Sequence, residues 1–305
     1  MVDLPPPPPP PQPNIVYILI DDMGWKVLAA YGSEFDETPN LDRLSSEGMT
    51  FTDAYAACPV CSPTRASCLT GRYPARLGVT QWIGGHTVGK LQDVPYHHAL
   101  PLSEVTIASV LRDVGYQTWH VGKWHLGPQQ AWPEKHGFDR NIGGCDWGAP
   151  KKGYFSPYHI PGFEDGPEGE YLTDRLTDEA IGLIKERDPA RPFFLNLAHY
   201  AVHTPIQAKA ELKELYQEKI DAQATRPRQK NATYAAMVHS VDEAVGQIMK
   251  TLEEAGVMDN TLIIFTGDNG GVKGITSNLP LRAGKGSPYE GGIREPTIVN
   301  WPGQV

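Results

Sequence analysis

The chain has 305 residues, 40% of them hydrophobic and 21% charged, and a net charge of -9. That length suits one large domain or two small ones with a substantial core, and the composition is that of an ordinary globular protein. The acidic balance argues against a general nucleic-acid binder, which carries a basic face, but not against a small anionic substrate, where only the local field of a cleft matters. No apolar run approaches the roughly 20 residues that span a bilayer.

Met1 to Pro13 includes an unbroken proline run from Pro5 to Pro11. With no basic start and no apolar centre it does not read as a secretory signal, and a disordered polyproline leader is expected over residues 1–13, with one folded domain over 14–305. Asn14 to Ile20 is continuous, apolar and rich in β-branched residues, the pattern of a central parallel strand covered on both faces. It runs into Asp21-Asp22-Met23-Gly24. Neighbouring strand residues point to opposite faces, so both carboxylates reach one ion only where the strand gives way to a turn. Thr38-Pro39-Asn40 predicts a helix start with Thr38 as cap, and Gly48 a stop.

Cys61-Ser62-Pro63-Thr64-Arg65 follows, with a helix expected from about Thr64 to Thr70. A group at a helix N-terminus sits in a positive field. Alone, Cys61 reads as a small buried hydrophobe, the usual fate of a free cysteine. Cys58, Cys61, Cys68 and Cys145 make no disulfide framework in a chain this long, and Cys58-x-x-Cys61 has no second pair with which to build a zinc site.

Residues 71–101 read as surface loop, in which His86, His97 and His98 are candidates to touch a ligand. A helix is predicted from Ser103 to Val114 and a strand from Tyr116 to Val121, leading to Gly122-Lys123-Trp124-His125-Leu126-Gly127. In extended chain Lys123 and His125 face the same way. After a further loop excursion, a helix is predicted over Thr173 to Arg187 and a buried strand over Pro192 to Ala198, ending at His199 to Pro205. From Lys230 to Glu254 apolar residues recur by threes and fours, an amphipathic helix; the Asn231-Ala232-Thr233 sequon carries little weight without a secretory context. Thr261 to Thr266 is a core strand ending in Gly267-Asp268-Asn269-Gly270, and Thr297 to Trp301 reads as the last strand. Strands alternating with helices make the chain α/β.

Residues 61–72, from Cys61 to Arg72, resemble the signature of the formylglycine-dependent sulfatases of the alkaline phosphatase superfamily, arylsulfatases and bacterial carbohydrate sulfatases included. Gly122 to Gly127 resembles their second signature. Gly284-Lys285-Gly286 with Tyr289 to Arg294 resembles the stretch that brings a lysine onto the sulfate. The resemblance runs from Asn14 to Val305. It implies an alkaline-phosphatase-like, mostly parallel sheet flanked by helices, with a C-terminal subdomain that is missing from this sequence. It implies that a formylglycine-generating enzyme oxidises Cys61 to 3-oxoalanine, whose hydrate attacks sulfur and later expels sulfate by re-forming its carbonyl. Arg65 would hold the modified residue, and Lys123 and Lys285 would steady the sulfuryl oxygens. His203 rather than His199, with help from Lys285, would protonate the leaving alcohol, and His125 would take the second hydroxyl's proton.

Asp21, Asp22, Asp268 and Asn269, with Cys61, are the expected metal ligands. Their oxygens select a hard cation, calcium over magnesium or zinc. Three aspartates, a divalent ion and the cations Arg65, Lys123 and Lys285 leave a net positive trap for a sulfate ester. The implied reaction is release of sulfate from an organic ester. Aromatic and polar groups around Trp82 to Pro101, Gly143 to Gly148, Gly153 to Pro157 and Gly169 to Asp174 point to a terminal glycan sugar. Two alternatives stand beside it: a phosphodiesterase or phosphonate monoester hydrolase of the same superfamily, and a silent binder of sulfated glycans. The resemblance implies a periplasmic or extracellular protein, although the leader leaves the cytoplasm open.

Overall fold

The Asn14–Ile20 run forms β1, and the rest of the molecule is arranged around it. The structure is a computed structural model that describes residues 12–86, 90, 92, 94–222 and 229–305. The leader expected over residues 1–13 therefore lies almost wholly outside the described residues. After β1 come α1 (Pro39–Ser46), β2 (Met49–Phe51), α2 (Cys61–Thr70), α3 (Pro74–Leu77) and α4 (Ile107–Asp113). Next are β3 (Gln117–Gly122), β4 (Arg140–Ile142), α5 (Leu172–Glu186), β5 (Phe193–Ala198) and α6 (Ala210–Asp221). α7 (Ala232–Glu254), β6 (Thr261–Gly267), α8 (Glu290–Ile293) and β7 (Thr297–Asn300) complete the order.

The strands form one sheet in the order β2-β7-β6-β1-β5-β3-β4. β6, β1, β5, β3 and β4 are parallel, while β7 runs antiparallel to β6, and β2 antiparallel to β7. Side-chain alternation divides the core between the two faces. Val16, Ile18 and Ile20 of β1 pack with Phe193, Leu195 and Leu197 of β5 under α1, α5 and α7. Ile15, Tyr17 and Phe194 face the other way, against Ala66 and Leu69 of α2 and Ala108 of α4. The α/β, mostly parallel sheet read from the sequence is the one observed. No helix among the described residues is long and apolar enough to cross a membrane.

Several local expectations need correction. Thr38 does not cap α1: its hydroxyl accepts from Ala29 N at 3.0 Å, and Asp242 of α7 reaches across to take Leu41 N at 2.8 Å and Asn40 N at 3.2 Å. A buried acid at a helix N-terminus satisfies the open amides as well as a local cap does. α2 starts at Cys61 rather than Thr64, because Pro63 in a first turn lacks only an N–H that has no helical partner there. α4 starts at Ile107, not Ser103, behind a capping box in which Thr106 Oγ1 accepts from Ser109 N at 3.1 Å and Ser109 Oγ accepts from Thr106 N at 3.0 Å. Asn231, the sequon residue, caps α7 by accepting from Tyr234 N at 3.1 Å.

The parallel strands all end on one edge of the sheet, the place where open α/β sheets bind ligands. Asp21 and Asp22 follow β1, Lys123 follows β3, His199 and His203 follow β5, and Asp268 and Asn269 follow β6.

Candidate active site

At the end of β1 the chain turns through Asp22, which sits at φ 58°. A non-glycine residue in the left-handed region carries about 1–3 kcal/mol of strain, and such strain collects at sites the surrounding structure over-determines. The β1–β6 pairing continues one step past the strands, where Asp268 N donates to Ile20 O at 3.0 Å. Asp268 then accepts from Asp22 N at 3.2 Å. Asn269 Nδ2 donates to Asp22 Oδ1 at 2.8 Å. Adjacent strands thus place three carboxylates and an amide together, each at most 1% exposed.

Cys61 enters from the opposite layer at the first turn of α2, with Sγ 3.5 Å from Asp21 Oδ1. One ligand atom from each of Asp21, Asp22, Cys61 and His203 can be chosen so that all lie within 4.8 Å of one another. The cations close round them. Arg65 places Nε 2.9 Å and Nη2 2.8 Å from Asp268 Oδ2, and its Nη1 donates to Lys123 O at 3.1 Å. Lys123 Nζ donates to Asp21 Oδ2, and Lys285 Nζ lies 2.6 Å from Asp22 Oδ1.

Burial pushes the Cys61 thiol well up, with Asp21 adding to the effect and Lys123 opposing it. Burial also works against ionisation of Asp21, but Lys123 and His203 hold its carboxyl below the usual range. Burial and Asp21 push Asp268 upward against the pull of Arg65 and Lys123. Lys285 is pulled down by burial, yet Cys61, Asp22 and Asp21 raise it further than burial lowers it.

A divalent ion fits this donor set. Asn269 Oδ1 is buried with no hydrogen-bond partner, an amide oxygen left over beside crowded carboxylates. The carboxylates and this amide offer oxygen donors, which suit a hard cation.

Cys61, Asp22, His125, His203 and Lys285 share the wall of a cavity of about 880 Å³. Arg65, Lys123, Asp21, Asp268 and Asn269 lie behind that wall, buried. The extended-chain reading of Lys123 and His125 does not hold. β3 ends at Gly122, where φ is 98° and a side chain would strike the Ala198 carbonyl, and His125 itself sits at φ 58°. The two side chains therefore part, Lys123 inward to Asp21 and His125 to the cavity.

His125 Nε2 lies 3.1 Å from Ile83 O, so this nitrogen carries the proton and Nδ1 is left bare, buried and unpartnered. Burial, reinforced by Lys123, pulls the ring's pKa well down, so it stays neutral. His203 directs Nδ1 to Thr204 O at 2.8 Å and Nε2 toward Asp22 Oδ2 at 3.6 Å. His199 is buried elsewhere, without a partner for either ring nitrogen, and does not line the cavity; neither do His86, His97 and His98.

Among the aromatic stretches, Trp82 and Trp147 line the cavity. Tyr154, Phe155 and Tyr171 pack on one another instead, with Tyr154 and Tyr171 centroids 5.8 Å apart. Sequence reasoning missed Ser62, whose Oγ donates to His125 O at 2.9 Å and accepts from Ile83 N at 3.0 Å. It ties α2 to both segments that fix the His125 ring. Its place between Cys61 and Pro63 was the available signal.

The parallel sheet with its oxygen-donor cluster at the strand ends has the alkaline-phosphatase-like architecture. The chain belongs to the sulfatase family, whose profile, described as Sulfatase, matches residues 13–305. It is 35% identical over 320 residues to human N-acetylgalactosamine-6-sulfatase, covering 96% of this chain and 58% of the relative. It is also 35% identical over 329 residues to human arylsulfatase A, covering 96% and 60%. The chain thus spans under two thirds of the length of these curated relatives. Among solved structures it is similar to Ps i-CgsB in complex with k-i-k-neocarrahexaose, with a TM-score of 0.81 and 34% identity over 96% of this chain and 67% of that one.

Proposed function

We propose that this chain carries the active site of a sulfuric ester hydrolase that releases sulfate from a sulfated glycan. The observation that supports this most is the meeting of Cys61, at the first turn of α2, with Asp21, Asp22 and His203 inside a ring of Arg65, Lys123 and Lys285. Converted to formylglycine by its modifying enzyme, Cys61 supplies a hydrated aldehyde as nucleophile, and a calcium-type ion on Asp21, Asp22, Asp268 and Asn269 supplies positive charge for the sulfuryl oxygens.

The remaining work falls to side chains of this chain. Lys285, on the cavity wall, meets the sulfate directly and stabilises the charge it develops. Lys123 acts from behind, favouring the charged form of Asp21, while Arg65 pairs with Asp268 against the push of burial. His203, whose Nδ1–H donates to Thr204 O, gives a proton to the departing alcohol from Nε2 as the imidazolium. His125, neutral and with Nδ1 unpartnered, accepts a proton from the nucleophile in this reading. A buried thiol held protonated is a poor nucleophile, which favours the modified residue. A glycan ester is favoured by the two tryptophans on the cavity wall, and by the similar structure solved with k-i-k-neocarrahexaose. The family likeness also favours a location outside the cytoplasm, which fractionation of the native host would test.

The test is sulfate release from a panel of sulfated sugars, with 4-nitrophenyl sulfate alongside and intact mass measured on the same preparation. Turnover of a sugar sulfate, lost in Cys61→Ala, together with a mass showing the thiol replaced by an aldehyde, is expected. A modified, metal-loaded protein that hydrolyses phosphonate esters and no sulfate ester would overturn the proposal.

A further inference from the structure

We propose that Lys151, held over Trp147 on the cavity wall, is a second anion subsite: it reads a sulfate ester or carboxylate on the substrate beside the ester that is cleaved. This rests on the sulfatase reading and adds the substrate class, a glycan carrying at least two anionic groups.

Lys151 and Trp147 line the same cavity as Cys61, His203 and Lys285. At about 880 Å³ the cavity lies near the top of the roughly 300–1,000 Å³ range of small-molecule sites, room for more than one substituted sugar group. Lys151 Nζ lies 4.6 Å from the centroid of the Trp147 ring, which places the ammonium before any ligand arrives. Arg65 and Lys123 are each committed to a buried carboxylate, and Lys285, paired with Asp22, meets the ester that is cleaved. Among the described residues no carboxylate lies at ion-pair distance from Lys151. An ammonium offers three donors and no acceptor, so the partner it lacks is an anion.

The loop is fastened at both ends to the site. On one side His125 N donates to Cys145 O at 3.0 Å, and Gly148 lies so close to the His125 ring that a Cβ there would stand 2.6 Å from Cε1. On the other, Gly153 N bonds Pro150 O at 2.9 Å, and Tyr154 Oη donates to the carbonyls of Tyr200 and His203 at 2.6 and 2.8 Å. The fold therefore fixes where the Lys151 backbone sits relative to the site, and the Trp147 contact holds its exposed side chain. Asp146 lies on the same wall, and its carboxylate accepts from sugar hydroxyls while repelling an anion, which leaves Lys151 as the place for one.

The experiment uses the full chain and three glycans with the same scissile ester: one with no other charge, one with a second sulfate, one with a neighbouring carboxylate. The parent is expected to favour at least one doubly anionic glycan by roughly 10–100-fold in kcat/KM, the range of a charge-assisted contact. Lys151→Met and Lys151→Glu should collapse that ratio through KM, and raised salt should shrink it in the parent. No preference in the parent, or a ratio that survives both variants, overturns the subsite. Binding of the same glycans to Cys61→Ser protein, followed by tryptophan fluorescence, reads the subsite without turnover. Tighter binding of a doubly anionic glycan that Lys151→Met abolishes supports it even if no ester is cleaved, which would overturn only the sulfatase reading; equal binding overturns it.

Discussion

Replacing Arg65 with methionine takes a hydrogen bond and an ion pair away from a carboxylate that water cannot reach. Arg65 approaches Asp268 Oδ2 at 2.9 and 2.8 Å, and both side chains are nearly fully buried. Removing one partner of such a pair leaves an uncompensated buried charge, which costs about 3–5 kcal/mol. At about 2–4 °C per kcal/mol for a chain of this order of size, Arg65→Met is expected to lower Tm by roughly 6–20 °C in chelated buffer. The penalty depends on pH in a definite direction. Burial and Asp21 already push Asp268 upward, and loss of Arg65 raises it further. A carboxyl whose folded pKa lies above its unfolded value contributes stability at low pH that is lost as pH rises through the folded pKa. The gap between variant and parent should therefore be small near about pH 4 and widest near about pH 8. Arg65→Met combined with Asp268→Asn removes the charge along with its partner and should recover most of the loss. Thermal unfolding by circular dichroism across pH reads all three proteins. A single variant melting within about 2 °C of the parent near pH 8, or a double variant no better than the single, would refute the reasoning.

Calcium at about 100 times its Kd should add about 2.7 kcal/mol to the parent's stability. Asn269→Ala, which removes the unpartnered buried amide oxygen, should cut most of that rise, read as calcium-dependent Tm. Gly148→Ala drives a Cβ to 2.6 Å from the His125 ring, so sulfate release should fall at least tenfold, about 1.4 kcal/mol of barrier, while the melting curve holds. Glu295 is 2% exposed with neither carboxylate oxygen partnered, and burial, with Asp268 and Asp22, pushes its carboxyl well up. Its stability contribution is present at low pH and lost as pH rises, so Glu295→Gln should melt above the parent near about pH 9 and converge with it near about pH 5.

Long apolar strands and the long helix were legible because burial on both faces, or on one stripe, leaves a pattern extending over many residues. β1, β5 and β6 appear within a residue of where the apolar runs place them. β2 and β4 have three residues each, too few for any period, and they sit at the two edges of the sheet, where burial imposes little. α6 buries only Tyr216, so its charge-rich sequence carries no apolar stripe to read. The motif residues Cys61, Arg65, Lys123, His125, His203 and Lys285 lie in or behind one cavity wall, while the loop histidines His86, His97 and His98 do not line it. What spacing could not supply is which side chain faces the cavity. The left-handed turn at His125 separates it from Lys123, and the Ser62 bridge joins segments distant in sequence. Lys151 gave no signal, since a loop lysine acquires meaning only from the cavity it lines.

The central position of β1 also sets a schedule. It is made well before both of its neighbours: Asn14 meets Phe193 across 179 residues and Thr261 across 247. At a synthesis rate of about 5–20 residues per second, roughly 10–40 s pass before β5 exists, and longer before β6. Through that interval an apolar strand stands unpaired, a burden for chaperones rather than for the folded protein. Cys61, 3% exposed once α2 has docked, stays accessible for the same stretch of time. The topology that closes the site last thus keeps it reachable first.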